Sequence, residues 1–170
     1  PYRLRIVYRG HSDNIARERL VAPHGLLLGV RRYLVALDLS KPGSAMRHYR
    51  VEDIEQAEGL AESFDLEDGF RIRDHARKGF GSYVNEDQLS EVIWKFKPHA
   101  AEHARSFQFH PTQTLEDAED GGLVIRFQAS GLLEMCWHLY SWGDAVEVIA
   151  PDHLRKMVEG HRRSDFPALP

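Results

Sequence analysis

RERLVAPHGLLLGVRRYLVALDLSKPGSAMRHYRVEDI, residues 17–54, is the stretch whose reading decides the fold. Three runs in it, 19–23, 32–38 and 46–51, concentrate β-branched, aliphatic and aromatic residues. That composition suits strands. Glycine-rich and proline-containing segments, 25–29 and 41–44, read as the turns between them. Residues 4–8 alternate toward an earlier strand, 11–16 are polar and turn-like, and 54–58 extend the last run. Residues 1–58 are therefore expected to form a compact antiparallel β-module, a small sheet or barrel. Arginines recur at the ends of its strands. A guanidinium is permanently charged and binds phosphate as a bidentate fork, so a rigid scaffold carrying several is an anion receptor in outline.

The rest of the chain has another rhythm. Residues 59–90 scatter Phe64, Phe70 and Phe80 among charges without a sustained period, and read as a connecting segment anchored by Phe64 and Phe80. Residues 92–96 form a strand pattern, and Pro98 suits the first turn of a helix running to about Phe107. Runs 114–119 and 123–129 flank Asp120-Gly121-Gly122, a hairpin turn. Residues 131–142 are helical, with Glu134, His138 and Ser141 on one polar stripe, and Gly143 ends them. A strand at 145–149 and a helix capped by Asp152 complete the order β-α-β-β-α-β-α. That order predicts a ferredoxin-like α/β module over 91–163, with 164–170 as a tail.

Bulk properties narrow the class. A chain of 170 residues with 28% charged residues and no low-complexity tract fits one domain or two small ones. Cys136 is the sole cysteine, so no internal disulfide is possible, as in a reducing, cytoplasmic setting. No apolar run approaches the ~18 residues of a membrane span, and no signal peptide is visible. The chain starts at Pro1 rather than methionine, which leads to the expectation of a piece of a longer protein. Net charge is −4, unevenly spread: residues 1–50 carry ten Lys/Arg against three acids, residues 51–170 twelve against twenty-three. Either the first part meets an anion, or the two surfaces attract each other within the fold or across a dimer.

The order and spacing of several short motifs resemble the WYL-domain family. Arg32-Tyr33-Leu34 stands where its Trp-Tyr-Leu triplet falls, Tyr8 ends the first strand, and Arg19 precedes Pro23 and Gly25-Leu26. Arg47-His48-Tyr49-Arg50 matches the family's Arg-x-Phe-Arg strand. The second half resembles the C-terminal extension common to these proteins, through His110-Pro111-Thr112-Gln113, Trp142-Gly143, and Pro151 followed by Leu154-Arg155. Two positions depart: Arg32 replaces the aromatic residue, and Asp53 stands where many members carry a base. The resemblance implies a small Sm-like (SH3-type) β-barrel at 1–58 followed by the extension. It implies a regulatory region of a bacterial helix-turn-helix transcription factor, dimeric, non-enzymatic and without cofactor. Such a region senses an anionic ligand such as a nucleotide or single-stranded nucleic acid, while DNA is read by an N-terminal domain outside this sequence.

Carried onto this chain, the ligand-binding candidates are Tyr8, Arg19, Tyr33, Arg47, His48 and Arg50. Alternation along a strand sets Arg47 with Tyr49 and Val51, and Arg50 with His48. If Tyr49 and Val51 face the core, His48 and Arg50 form the better exposed pair, with Tyr8 and Tyr33 able to stack on a base. A structural dimerisation module without ligand is one alternative. A zinc hydrolase is another, because His99-Ala100-Ala101-Glu102-His103 reads as H-x-x-E-H. No partner helix with a third ligand is evident, so no metal is expected. His110 and Gln113 read as structural, Cys136 as a buried inert thiol, and Trp137 and Trp142 as core or interface anchors.

Overall fold

The computed structural model describes residues 1–10, 13–29, 31–41, 43 and 45–160. The expected turns at 11–16 and 41–44 fall partly outside these residues, and the end of the last module and the tail at 164–170 wholly so. The chain divides into two compact units, Pro1–Ala76 and Arg77–Pro170.

The first unit holds β1 (Tyr2–Tyr8), β2 (Arg17–Leu28), β3 (Arg32–Asp38), β4 (Arg47–Arg50), β5 (Ile54–Ser63) and the short helix α1 (Ile72–Ala76). The strands make one antiparallel sheet in the order β4-β3-β2-β1-β5. Two features depart from the sequence reading. Gly25 to Leu28 are not a turn but the last four residues of a 12-residue strand, continued past an irregularity between Pro23 and Gly25. A strand rich in leucine gains more from burying Leu27 on β3 than from turning early. The sheet is also open rather than a closed barrel, with β4 and β5 at its edges. A sealed seam needs an apolar face on both edge strands. In β5 only Ile54 and Leu60 are partly buried, and its other residues are exposed.

Each face of this sheet has its own cluster. Ile6, Val21, Leu34, Ala36 and Tyr49 are buried together on one face, with Leu4, Tyr8 and Ile54 against them. Leu27, Tyr33 and Val35 are buried on the other, beneath Phe70, Ile72 and Ala76. α1 can lie this close because position 25 is glycine: a Cβ there would come 2.8 Å from Ile72 Cγ1. His24, in the irregular step of β2, ties down the segment before α1. Its Nδ1–H donates to the Ala22 carbonyl (2.9 Å), its Nε2 accepts from the Glu67 N–H (3.2 Å), and its ring meets Phe64 and Phe70.

The second unit comprises β6 (Ser90–Phe96), α2 (Pro98–Arg105), β7 (Thr114–Asp117), β8 (Leu123–Ala129), α3 (Leu132–Tyr140), β9 (Val146–Ala150) and α4 (Asp152–Gly160). Its antiparallel sheet runs β7-β8-β6-β9. Val92, Trp94 and Phe96 of β6 and Leu123, Ile125, Phe127 and Ala129 of β8 alternate onto one face, where all three helices cover them. Pro98 opens α2 as its spacing suggests, and small residues Ala100, Ala101 and Ala104 let that helix sit close on the sheet. Cys136 is fully buried, and burial pushes its thiol up. His110 is buried too, its ring stacked on Phe127 at 5.4 Å and its Nδ1 2.8 Å from Thr112 Oγ1. Gln113 accepts the His110 N–H and donates to the Phe107 carbonyl, which closes the loop after α2.

Candidate functional site

The strand pairing sorts the six sequence-derived candidates onto two faces. Tyr33 pairs with Arg50, and Val35 with His48, so Tyr33, His48 and Arg50 share the face that carries Leu27 and Val35. Ala36 pairs with Arg47, Leu34 with Tyr49, and Ile6 with Arg19, so Tyr8, Arg19 and Arg47 share the opposite face with the buried Tyr49. The alternation of β4 is as expected from sequence. A single pocket built from Arg19, His48 and Arg50 is not formed, because the sheet lies between them.

On the Arg19 face the strands assemble a compact polar group. Asp38, the last residue of β3, is 1% exposed and lies 3.7 Å from Arg19 Nη1. Its Oδ1 accepts the Ser40 N–H at 3.0 Å, which holds the carboxylate in place. The Tyr49 hydroxyl lies in the field of Asp38, Arg47 and Arg19, and burial first, then Asp38, pushes its pKa up to about 12. It therefore stays a protonated donor. Tyr8 meets Tyr49 edge-on at 5.1 Å, and burial raises its hydroxyl as well. Arg17 and Arg47 remain exposed at the rim. Sequence reading missed Asp38 and Tyr49 as members of this group. The signal was present in the period of two, which places Asp38 with Ala36 and Leu34.

The opposite face is built differently. His48 and His75 stack at 5.0 Å, with their Nε2 atoms 3.0 Å apart. Burial, then the neighbouring His75, lowers the His48 pKa to about 4, so it is neutral near pH 7. His48 is thus packed under α1 and is not an open cationic group, contrary to the sequence-based expectation. Arg50 Nε lies 3.6 Å from Glu52 Oε2, and Arg32 Nε donates to Glu52 Oε1 at 2.7 Å. One carboxylate therefore bridges two arginines, and both hold it below the ordinary range, chiefly through the Arg32 hydrogen bond. Arg32, at the position of the missing tryptophan, is an ion-pair residue here.

Acids from β5 and β2 also answer the arginines in and just after β1. Arg5 bonds Glu58 at 2.8 Å and lies 3.5 Å from Glu18, and Arg9 pairs with Glu55. Across residues 1–76 twelve Lys/Arg meet twelve Asp/Glu, so the excess of positive charge in residues 1–50 is cancelled inside its own unit. Long-range attraction of anions is accordingly weak, and recognition rests on local geometry. In the second unit, His99 and His103 lie exposed on α2. Among the described residues no group of three or more His, Cys, Asp or Glu side chains is arranged to hold a metal ion. No helix among them is long and apolar enough to cross a membrane.

Residues 2–58 match the model of the WYL domain, and residues 90–162 match that of the WCX domain. No curated protein sequence matches the chain. Among solved structures it is similar to proteasome accessory factor B/C (PafBC) of Arthrobacter aurescens, at 24% identity, with 92% of this chain and 24% of that chain covered and a TM-score of 0.40. It is also similar to a CRISPR Cas-related protein, at 15% identity, with 94% of this chain and 45% of that chain covered and a TM-score of 0.59. The second likeness is one of fold. The chain spans less than half the length of either protein.

Proposed function

We propose that this chain, which belongs to the WYL-domain family and carries the WCX extension, is the ligand-sensing region of a transcriptional regulator and has no catalytic role. The observation that carries the reading is the group on one face of the first sheet: Arg19 held by a buried Asp38, exposed Arg17 and Arg47 beside it, and Tyr8 and Tyr49 along the same face. A fixed guanidinium flanked by two open ones suits the phosphate of a nucleotide or of single-stranded nucleic acid, and a tyrosine supplies a sequence-tolerant surface for a base. Arg50 contributes less in this reading, because Glu52 already engages it. The family supports a wider frame: a homodimer, a cytoplasmic setting, a DNA-reading domain elsewhere in the protein and a ferredoxin-like second unit. The strand order β7-β8-β6-β9 supports the last of these.

The test is a titration of fluorescently labelled oligothymidylate and of a labelled nucleotide at low and moderate salt. Binding should weaken with salt as phosphate contacts release counterions. Arg47→Ala should lose affinity roughly tenfold, the scale of one charge-assisted hydrogen bond, while Arg50→Ala stays within about twofold. No binding at low salt, or equal losses in the two variants, would reject the site. One observation favours a second reading, a ligand-free structural dimerisation module: the charge of residues 1–76 balances to zero. Light scattering that shows a stable dimer, together with no ligand binding, would select it.

A further inference from the structure

The second unit contains a cavity of about 470 Å³ that the reading above does not use. It opens between α2 and the end of α3, and its size is that of a small-molecule site. The alanine face of α2 is spent on the sheet, which leaves His99 and His103, one turn apart, on the flank lining the cavity. Phe107 and Trp142 form an aromatic wall, their rings 5.3 Å apart, and His103 contacts both, at 5.1 and 5.4 Å. Phe107 is 39% exposed, an aromatic ring left at the mouth of the cavity rather than in the core.

The polar groups around this wall are committed unequally. The Trp142 Nε1–H donates to His138 Nε2 at 3.2 Å, and burial lowers the His138 pKa, so its ring is neutral with the proton on Nδ1. The Ser141 hydroxyl donates to the His138 carbonyl at 2.7 Å. His99 and His103 are thus the side chains left to meet a polar ligand group. No carboxylate lines the cavity. Imidazoles in a lining free of carboxylates, set beside the half-buried Trp142 ring and the exposed Phe107 ring, complement a ligand that is flat, apolar over most of its surface and negative at one end. A metal ion fits less well, since the Nε2 lone pair of His138 is taken by Trp142.

We propose that the cavity between α2 and α3 is a binding site for a small planar aromatic anion, its ring against Trp142 and Phe107 and its carboxylate at His99 and His103. This site is independent of the arginine face of the first unit and would give the chain a second input. Benzoate and its uncharged twin benzamide are the probes, titrated into the whole chain at about pH 6.5. The readout is the set of indole N–H signals of the three tryptophans, with the Trp142 signal identified through Trp142→Phe. Benzoate should shift the Trp142 signal saturably and leave that of the core residue Trp94 nearly unchanged, and benzamide should bind at least fivefold more weakly. His99→Gln/His103→Gln alters two exposed positions, so the fold is retained, and it should abolish the preference for benzoate. The proposal is overturned by no saturable shift up to about 10 mM benzoate, by equal affinity for benzamide, or by a preference unchanged in the double variant. It is equally overturned if zinc alone, and not benzoate, produces the Trp142 shift.

Discussion

Acidification should loosen the first unit through His48. The perturbation is a drop from pH 7 to pH 5, compared between the native chain and His48→Gln. In the folded unit the pKa of His48 lies near 4, because the ring is buried against His75 beneath α1. In the unfolded chain it returns to about 6.5. Between those values the unfolded state binds a proton that the folded state refuses, so stability falls as pH falls through this window and is fully present above it. The whole difference corresponds to roughly 3 kcal/mol, of which about 2 kcal/mol is lost between pH 7 and pH 5. His48 keeps some contact with water, which reduces the expected loss to about 1 kcal/mol. His75 on α1, Tyr33 on β3 and Arg50 on the same strand surround the ring, and none of them is an acid that would favour its charged form. Urea unfolding followed through resolved amide signals of β3 and β4 is the assay, because Trp94, Trp137 and Trp142 all report the other unit. The native chain should lose about 1 kcal/mol more than His48→Gln over this range. Equal losses, or a His48 ring that titrates near 6.5 in the folded protein, would refute the reasoning.

Two further outcomes follow from the packing of the same unit. Asp38→Ala removes the carboxylate that faces Arg19 and accepts the Ser40 N–H; it should cost about 2–4 kcal/mol in urea unfolding, and Asp38→Ala with Arg19→Leu should recover part of the loss. Gly25→Ala places a methyl group against Ile72 and should cost about 1–3 kcal/mol, with faster amide exchange in α1.

Local rules carried the reading of sequence furthest where a local rule governs the chain. The run at 32–38 is a strand, as is the 47–50 part of the run at 46–51, because their β-branched and aromatic residues suit a pleated surface, and the period of two set Arg47 and Arg50 on opposite faces before any partner was known. The hairpin at Asp120-Gly121-Gly122 follows from Gly121, whose φ of +80° favours a residue without Cβ. The motif spacings that marked the WYL and WCX families are likewise properties of short segments.

What a strand pairs with is not local. The extension of β2 through Leu28, the length of β5 and the open sheet were decided by which surfaces found partners, as were the burial of His48 under α1 and the division of the six candidates between two faces. The balance of charge was decided in the same way: Arg5 meets Glu58 and Arg32 meets Glu52, partners fifty-three and twenty residues away. By itself the sequence determined which residues take extended or helical backbone and which side each would face, since sterics and alternation act over a few bonds. Only the tertiary structure decided which arginines stayed open to a ligand, because an ion pair or a covered imidazole depends on what another part of the chain brings to within a few ångströms.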